Sequence, residues 1–193
     1  LEYVNTTFRQ ITDGFIKEDL GMLHKAESTM RRKREELKNS RRKEMIGFRK
    51  IDPEVAMEKN TWFHLGRNSC EEILYCLRRI ADPCEEHVDN NFVPLSKEQV
   101  KEYIPLRDTV LFLLRRTEKI LQTDSYDEVD EVRREAEELK DCLEKAREAQ
   151  MQRMQSSKEN ITVAYLYLNL LQETRELTSS LRHLLRASKG FRE

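Results

Sequence analysis

The chain contains few of the residues that interrupt helices. Only five of its 193 residues are glycine and four are proline, whereas 38% are hydrophobic and 37% are charged. This composition is typical of long amphipathic helices rather than of sheets. No stretch alternates between apolar and polar residues over the length that a strand needs. We therefore predict an all-α protein.

Long apolar runs and a strong net charge are absent as well. The longest apolar runs are far shorter than the ~20 residues that span a bilayer, and the start lacks the basic and apolar regions of a signal peptide. The net charge of -1 gives no overall attraction for nucleic acid. We expect this fragment to be soluble. Because it begins at Leu1 without an initiator Met, we also expect it to be a piece of a longer protein.

Sites for catalysis or metal binding are scarce. None of the four cysteines forms a Cys-x-x-Cys pair, and a chain of this size needs no disulfide staples. Cys84 and His87 share a helix face, but two ligands do not make a zinc site. No glycine-rich phosphate loop, Ser-His-Asp order or zinc-hydrolase motif is present. We predict a protein that is not an enzyme, and we expect no cofactor.

Capping residues and breaks divide the chain into six predicted helices. Thr6 or Thr7 can cap the first helix, Asp52 followed by Pro53 starts the third, and Ser96 starts the fourth with a capping box. We expect Pro105 to interrupt the fourth helix. The remaining predicted ranges are 19 to 48 for the second helix, 53 toward 92 for the third, 127 to 156 for the fifth, and 161 to 187 for the sixth, with Gly190 ending it.

A short pattern occurs twice, 104 residues apart. An acidic and an apolar residue are followed, after three residues, by Leu77-Arg78-Arg79-Ile80 in one copy and by Leu181-Arg182-His183-Leu184 in the other. The same offset pairs Phe8 with Phe112 and Ile16 with Ile120. A fixed offset indicates a duplicated unit. We predict two three-helix repeats, over 1–95 and 96–193, that form one compact unit.

The third predicted helix carries a resemblance to a known family. The segment from Trp62 to Leu65, together with the segment from Tyr75 to Phe92, resembles the soluble C-terminal region of bacterial sodium/phosphate cotransporters. That region is similar to PhoU, the regulator of phosphate uptake, which is built from two three-helix repeats. The resemblance implies two tandem three-helix bundles made of six long antiparallel helices. It also implies a place at the cytoplasmic face of the inner membrane, as part of a membrane protein.

The resemblance also bears on metal binding. Members of the PhoU family carry two acids four residues apart on the third helix of each repeat, and such carboxylates can bind metal ions. Here Asp82 stands at the second acidic position, but Arg78 stands at the first. An arginine cannot ligate a cation, so we expect no metal. The acids that remain as candidate metal ligands are Asp82, Glu85 and Asp89.

Basic residues are the other candidates for a binding role. Residues 31–34 and 41–43 are two basic runs on the second helix, but Glu35, Glu36 and Glu44 interleave with them. This mixture favours a solvated helix face, and we expect no nucleic-acid partner, although a contact through residues 31–43 stays as an alternative. The residues that we expect to contact a partner or an anion are Arg31, Arg32, Arg34, Arg78, Arg79 and Arg182.

The resemblance implies a non-enzymatic domain that regulates a sodium-dependent phosphate transporter and modulates phosphate uptake. Its partner would be the membrane transporter domain of the same polypeptide, and we also consider a homodimer and a contact with the membrane surface. The alternative hypothesis is a helical adaptor or scaffold module that binds a protein partner and has no connection with phosphate.

Overall fold

The protein is a bundle of helices. The computed structural model describes residues 1–156 and 159–193, and all regular secondary structure in these residues is helical. The all-α prediction is therefore confirmed. None of the described helices is both long enough and apolar enough to cross a bilayer. The helices are α1 Glu2–Ile16, α2 Leu20–Phe48, α3 Pro53–Asp89, α4 Lys97–Thr123, α5 Val129–Ser156 and α6 Ile161–Arg192.

Side chains cap the helix starts where the sequence predicts them. Ser96 Oγ accepts a hydrogen bond from the Gln99 backbone N–H at 3.1 Å, and Gln99 Oε1 accepts one from the Ser96 N–H at 2.9 Å. This reciprocal pair satisfies two donors that have no partner within the helix. Asp52 accepts from the Glu54 N–H at 2.9 Å, with Pro53 in the first helical position. The predicted starts of α3 and α4 are confirmed.

The predicted start of the first helix and the predicted interruption of the fourth are wrong. Helix α1 begins at Glu2 and contains both Thr6 and Thr7, because Val4 is buried and extends the packed face by one turn. Helix α4 runs through Pro105. A proline inside a helix costs about 3 kcal/mol or more, but apolar side chains are buried along the helix on both sides of it. They are Tyr103, Val110, Leu111, Leu113 and Leu114.

The predicted end of α6 is also wrong, and the reason is packing. Gly190 lies inside the helix, which continues to Arg192. A Cβ atom added at Gly190 would lie 2.5 Å from Trp62 Cδ2, so the missing side chain lets α6 approach the indole ring on α3. The predicted break at 156–160 includes residues 157 and 158, which lie outside the described part of the chain.

The helices contact one another in two groups of three. Helices α1, α2 and α3 pack together, and so do α4, α5 and α6. The groups meet mainly where α3 packs along α6, with a smaller contact between α1 and α4. Each contact within the first group has a counterpart in the second, in which α4, α5 and α6 take the places of α1, α2 and α3.

The 104-residue offset describes α3 and α6 better than it describes α1 and α4. Leu77 and Leu181 are both buried in the core. In contrast, Phe8 is fully buried, whereas Phe112 is 48% exposed. The repeated pattern therefore corresponds to equivalent core positions along the α3–α6 contact, but the offset pair Phe8 and Phe112 does not.

Candidate functional site

A groove of about 890 Å³ lies between α2 and α3. The two helices are antiparallel, and side-chain contacts connect them on either side of the groove. His24 Nε2 lies 3.3 Å from Glu85 Oε1 at one end. Arg67 Nη1 lies 2.5 Å from Glu44 Oε2 at the other end. The groove therefore occupies a stretch where the helices are separated, between two places where polar side chains of the two helices meet.

The α2 wall of the groove is cationic. Arg31, Arg34, Lys38 and Arg41 all line it. Their spacing of three, four and three residues places them on one face of the helix. All four are exposed, and none forms an ion pair with another described side chain. We call these four residues the cationic stripe.

The floor of the groove is apolar. Met30 on α2 and Leu74 on α3 are buried and line it, together with the half-buried Leu37. Tyr75 stands at the α3 wall with 53% of its surface exposed. A ligand in the groove would therefore meet both apolar surface and unpaired positive charge.

The charges of the α3 wall are neutralised by partners. Glu71 accepts a hydrogen bond from Arg67 Nη2 at 3.0 Å. Arg78 Nε donates to Asp82 Oδ2 at 2.9 Å, one turn further along the same helix. Glu72 also lines the groove, and it accepts a hydrogen bond from Arg79. The α3 carboxylates in the groove are therefore already engaged.

Two carboxylates on α2 have no such partner. Glu27 and Glu35 line the groove, and no described cationic side chain forms an ion pair with either of them. Among the described charged side chains that line the groove, the four cations of the stripe and these two carboxylates therefore have no ion-pair partner. The groove has an excess of unpaired positive charge, although the chain as a whole is close to neutral.

The structure brings together three of the six basic residues that the sequence analysis selected. Arg31, Arg34 and Arg78 line the same groove. Arg32 does not line it, and its Nε lies 3.8 Å from Glu36 Oε1 on α2. Lys38 and Arg41 were not among those six residues, although their spacing from Arg31 and Arg34 is the signal that could have identified them.

Arg79 belongs to the contact between α3 and α6. Its Nε donates to Glu173 Oε2 at 2.6 Å, and its Nη2 donates to Glu72 Oε1 at 3.0 Å. Asn169 Nδ2 on α6 donates to the Arg79 carbonyl oxygen at 3.2 Å. Burial raises the pKa of Glu173, and the hydrogen bond and charge of Arg79 oppose this rise. Arg79 therefore joins the two halves of the bundle.

Arg182 belongs to the contact between α5 and α6, where it forms an ion pair with Glu137. Arg175 Nε also lies 3.6 Å from Glu144 Oε2 across the same two helices. Lys189 Nζ lies 3.9 Å from Asp130 Oδ2 near the other end of α5. Three ion pairs therefore join α5 to α6 along the face that corresponds to the α2–α3 groove.

Two of the three predicted metal candidates lie beside an arginine or a histidine. Asp82 pairs with Arg78, Glu85 lies beside His24, and Asp89 is exposed at the end of α3. Within residues 1–156 and 159–193, no three His, Cys, Asp or Glu side chains are arranged to hold a metal ion. His87, considered together with Cys84, is buried, and its Nε2 lies 2.8 Å from the Val93 carbonyl oxygen.

Comparisons with protein-family models, with curated proteins and with solved structures found no match to this chain.

Proposed function

We propose that this chain is a non-enzymatic regulatory domain that docks onto a segment of another protein domain through the α2–α3 groove. One observation carries the proposal: the four cations of the stripe have no ion-pair partner among the described side chains and lie beside an apolar floor, whereas ion pairs cross the corresponding α5–α6 face. A negatively charged partner is attracted most strongly by cations that are not already paired, and burial of apolar surface adds to the binding free energy.

The partner that we propose is the transport domain of a sodium-dependent phosphate transporter in the same polypeptide. The segments around Trp62 and from Tyr75 to Phe92 support this choice through their resemblance to the C-terminal region of such transporters. Docking would occur at the cytoplasmic face of the membrane. The domain would change uptake by binding one conformation of the transporter more tightly than another, which shifts the equilibrium between them.

Phosphate uptake in cells that express the full transporter tests this function. The variant Arg34→Glu/Lys38→Glu reverses two charges inside the groove, and we expect it to change uptake in the same direction as deletion of the domain. Arg32→Glu is the matched control, because Arg32 lies on the same helix but outside the groove. Uptake that is the same in the wild type, the groove variant and the deletion at every phosphate concentration would refute the proposal.

A helical adaptor unrelated to phosphate is the second candidate. The mixed lining of the groove favours it, because Glu27 and Glu35 would repel a free phosphate ion while leaving a protein partner acceptable. The sequence of the parent polypeptide separates the two candidates. Transmembrane segments in that polypeptide favour the transporter regulator, and a parent without them favours the adaptor.

A further inference from the structure

We propose that the occupant of the α2–α3 groove is an amphipathic α-helix that carries carboxylates along the edge of its apolar face. This inference rests on the proposed docking function and specifies the chemistry of the partner. Three properties of the groove lead to it: the spacing of its cations, its apolar floor, and the carboxylates that remain unpaired within it.

The spacing of the cationic stripe matches a helix. Arg31 and Arg41 are ten residues apart, which is about 15 Å at the rise of 1.5 Å per residue. A second helix packed alongside α2 has the same rise, so carboxylates at intervals of three and four residues can meet each cation in turn. Side chains on one face of an extended peptide recur only about every 6.6–6.8 Å. The average separation within the stripe, about 5 Å on the same rise, does not match that repeat.

The floor of the groove selects an apolar face. Met30, Leu37 and Leu74 lie between the two charged walls. Two adjacent helices leave a furrow that a third helix fills with its own side chains, at interaxial distances of about 8–10 Å. Removal of apolar surface from water stabilises the complex. A helix with leucine-like residues along one face buries them against this floor, whereas a chain of phosphates has no apolar side chains to bury there.

The unpaired carboxylates argue against nucleic acid as the occupant. Glu27 and Glu35 lie on the same helix as the stripe and face the groove. A phosphate backbone that followed the stripe would pass close to both of them and would be repelled. A partner helix can avoid this repulsion, because it can place a neutral or basic side chain beside each glutamate and an acidic one beside each cation.

Direct binding to designed peptides tests the inference. The probe is a fluorescent peptide of four helical turns with leucines on one face and glutamates at intervals of three, four and three residues, held helical by side-chain bridges on its outer face. The control peptide has glutamine in place of each glutamate. We expect the glutamate peptide to bind at least tenfold more tightly, which corresponds to about 1.4 kcal/mol.

Variants of the protein locate the binding. Arg34→Glu/Lys38→Glu should weaken binding of the glutamate peptide by about tenfold or more, since each reversal replaces an attraction by a repulsion. Arg32→Glu should leave the affinity within about twofold, because Arg32 does not line the groove. Circular dichroism shows whether each variant keeps the helical content of the wild type. Equal affinity for both peptides, or binding that is insensitive to the groove variant, overturns the inference.

A single-stranded oligonucleotide of similar length is the competing probe. If it binds to the stripe more tightly than the glutamate peptide, the occupant is not an acidic helix and the inference fails. The uptake experiment is independent of these measurements. If the groove variant alters uptake but the wild-type protein does not bind the peptide, the docking function is supported and the acidic helix is rejected as the occupant. If the protein binds the peptide but the groove variant leaves uptake unchanged, the acidic helix is supported as the occupant and the role in transport is rejected.

Discussion

Replacement of Arg79 by methionine should destabilise the bundle more than the same replacement at the adjacent Arg78. Arg79 pairs with Glu173 on α6 at 2.6 Å, and the Glu173 side chain is only 10% exposed. Arg78 pairs with Asp82 on its own helix, and both side chains are more than half exposed. Methionine keeps much of the length and helix propensity of arginine, so the two variants differ mainly in the ion pairs that are lost, which for Arg79 are those with Glu173 and Glu72.

The magnitudes follow from burial. Removal of one partner from a fully buried pair costs about 3–5 kcal/mol, because the other charge stays buried without compensation. Since 34% of the Arg79 side chain is open to water, we expect Arg79→Met to lower the free energy of unfolding by about 1–3 kcal/mol. For Arg78→Met we expect a loss of no more than about 0.5 kcal/mol, as for exposed pairs on one helix.

The loss should also depend on pH. Burial already raises the pKa of Glu173, and loss of Arg79 removes the interaction that opposes this rise. A carboxyl group with a raised pKa binds more protons in the folded state than in the unfolded state. The folded state is therefore penalised above that pKa, and the penalty disappears as the pH falls through it. We expect Arg79→Met to recover stability relative to the wild type as the pH falls from neutral toward the ordinary pKa of a glutamate.

Urea unfolding followed by circular dichroism measures these free energies. The double variant Arg79→Met/Glu173→Gln is the decisive control, because it removes the uncompensated charge and should restore part of the stability. Two results would refute the reasoning: a loss for Arg79→Met no larger than that for Arg78→Met, or a loss that is the same at neutral and mildly acidic pH and is not relieved by Glu173→Gln.

Two further predictions concern burial. Phe8→Ala should lower the free energy of unfolding by about 3–5 kcal/mol because the ring is fully buried, whereas Phe112→Ala should cost less than about 1 kcal/mol; equal costs in urea unfolding would contradict the structure. Cys142 is exposed, while Cys84 is fully buried and its pKa is raised by burial. A thiol reagent added to the native protein should therefore modify Cys142 first, and Cys142→Ser should remove the fastest phase.

Local signals in the sequence predicted most helix starts. A capping box at Ser96 and the pair Asp52-Pro53 act within one turn, so neighbouring residues are enough to identify them. The errors at Pro105 and Gly190 have a different origin. Buried side chains on both sides of Pro105 keep α4 continuous, and Gly190 serves a contact with Trp62 on another helix. In both cases tertiary packing determines that the helix continues, and the helix propensities of neighbouring residues do not indicate this packing.

The site was predictable to a similar degree. The basic run around Arg31 and Arg34 is visible in the sequence, and it lines the groove. Arg182 is equivalent to Arg78 in the repeated pattern and Arg79 is its neighbour, yet Arg79 and Arg182 are each paired with an acid on another helix. Which acid lies opposite depends on how α3 and α5 are aligned against α6. That alignment follows from the packing of many core side chains and is not encoded in any short motif.

Glu72 connects two parts of the molecule that otherwise have separate roles. Its carboxylate lines the groove and holds Arg79, whose guanidinium in turn holds Glu173 on α6. A cationic side chain on a bound partner would compete with Arg79 for Glu72, and Arg79 would then rely on Glu173 alone. Occupancy of the groove would thus alter the electrostatic connection between the two halves of the bundle. Through these two hydrogen-bonded ion pairs, a partner bound on the outer face would change the electrostatics of the α3–α6 contact.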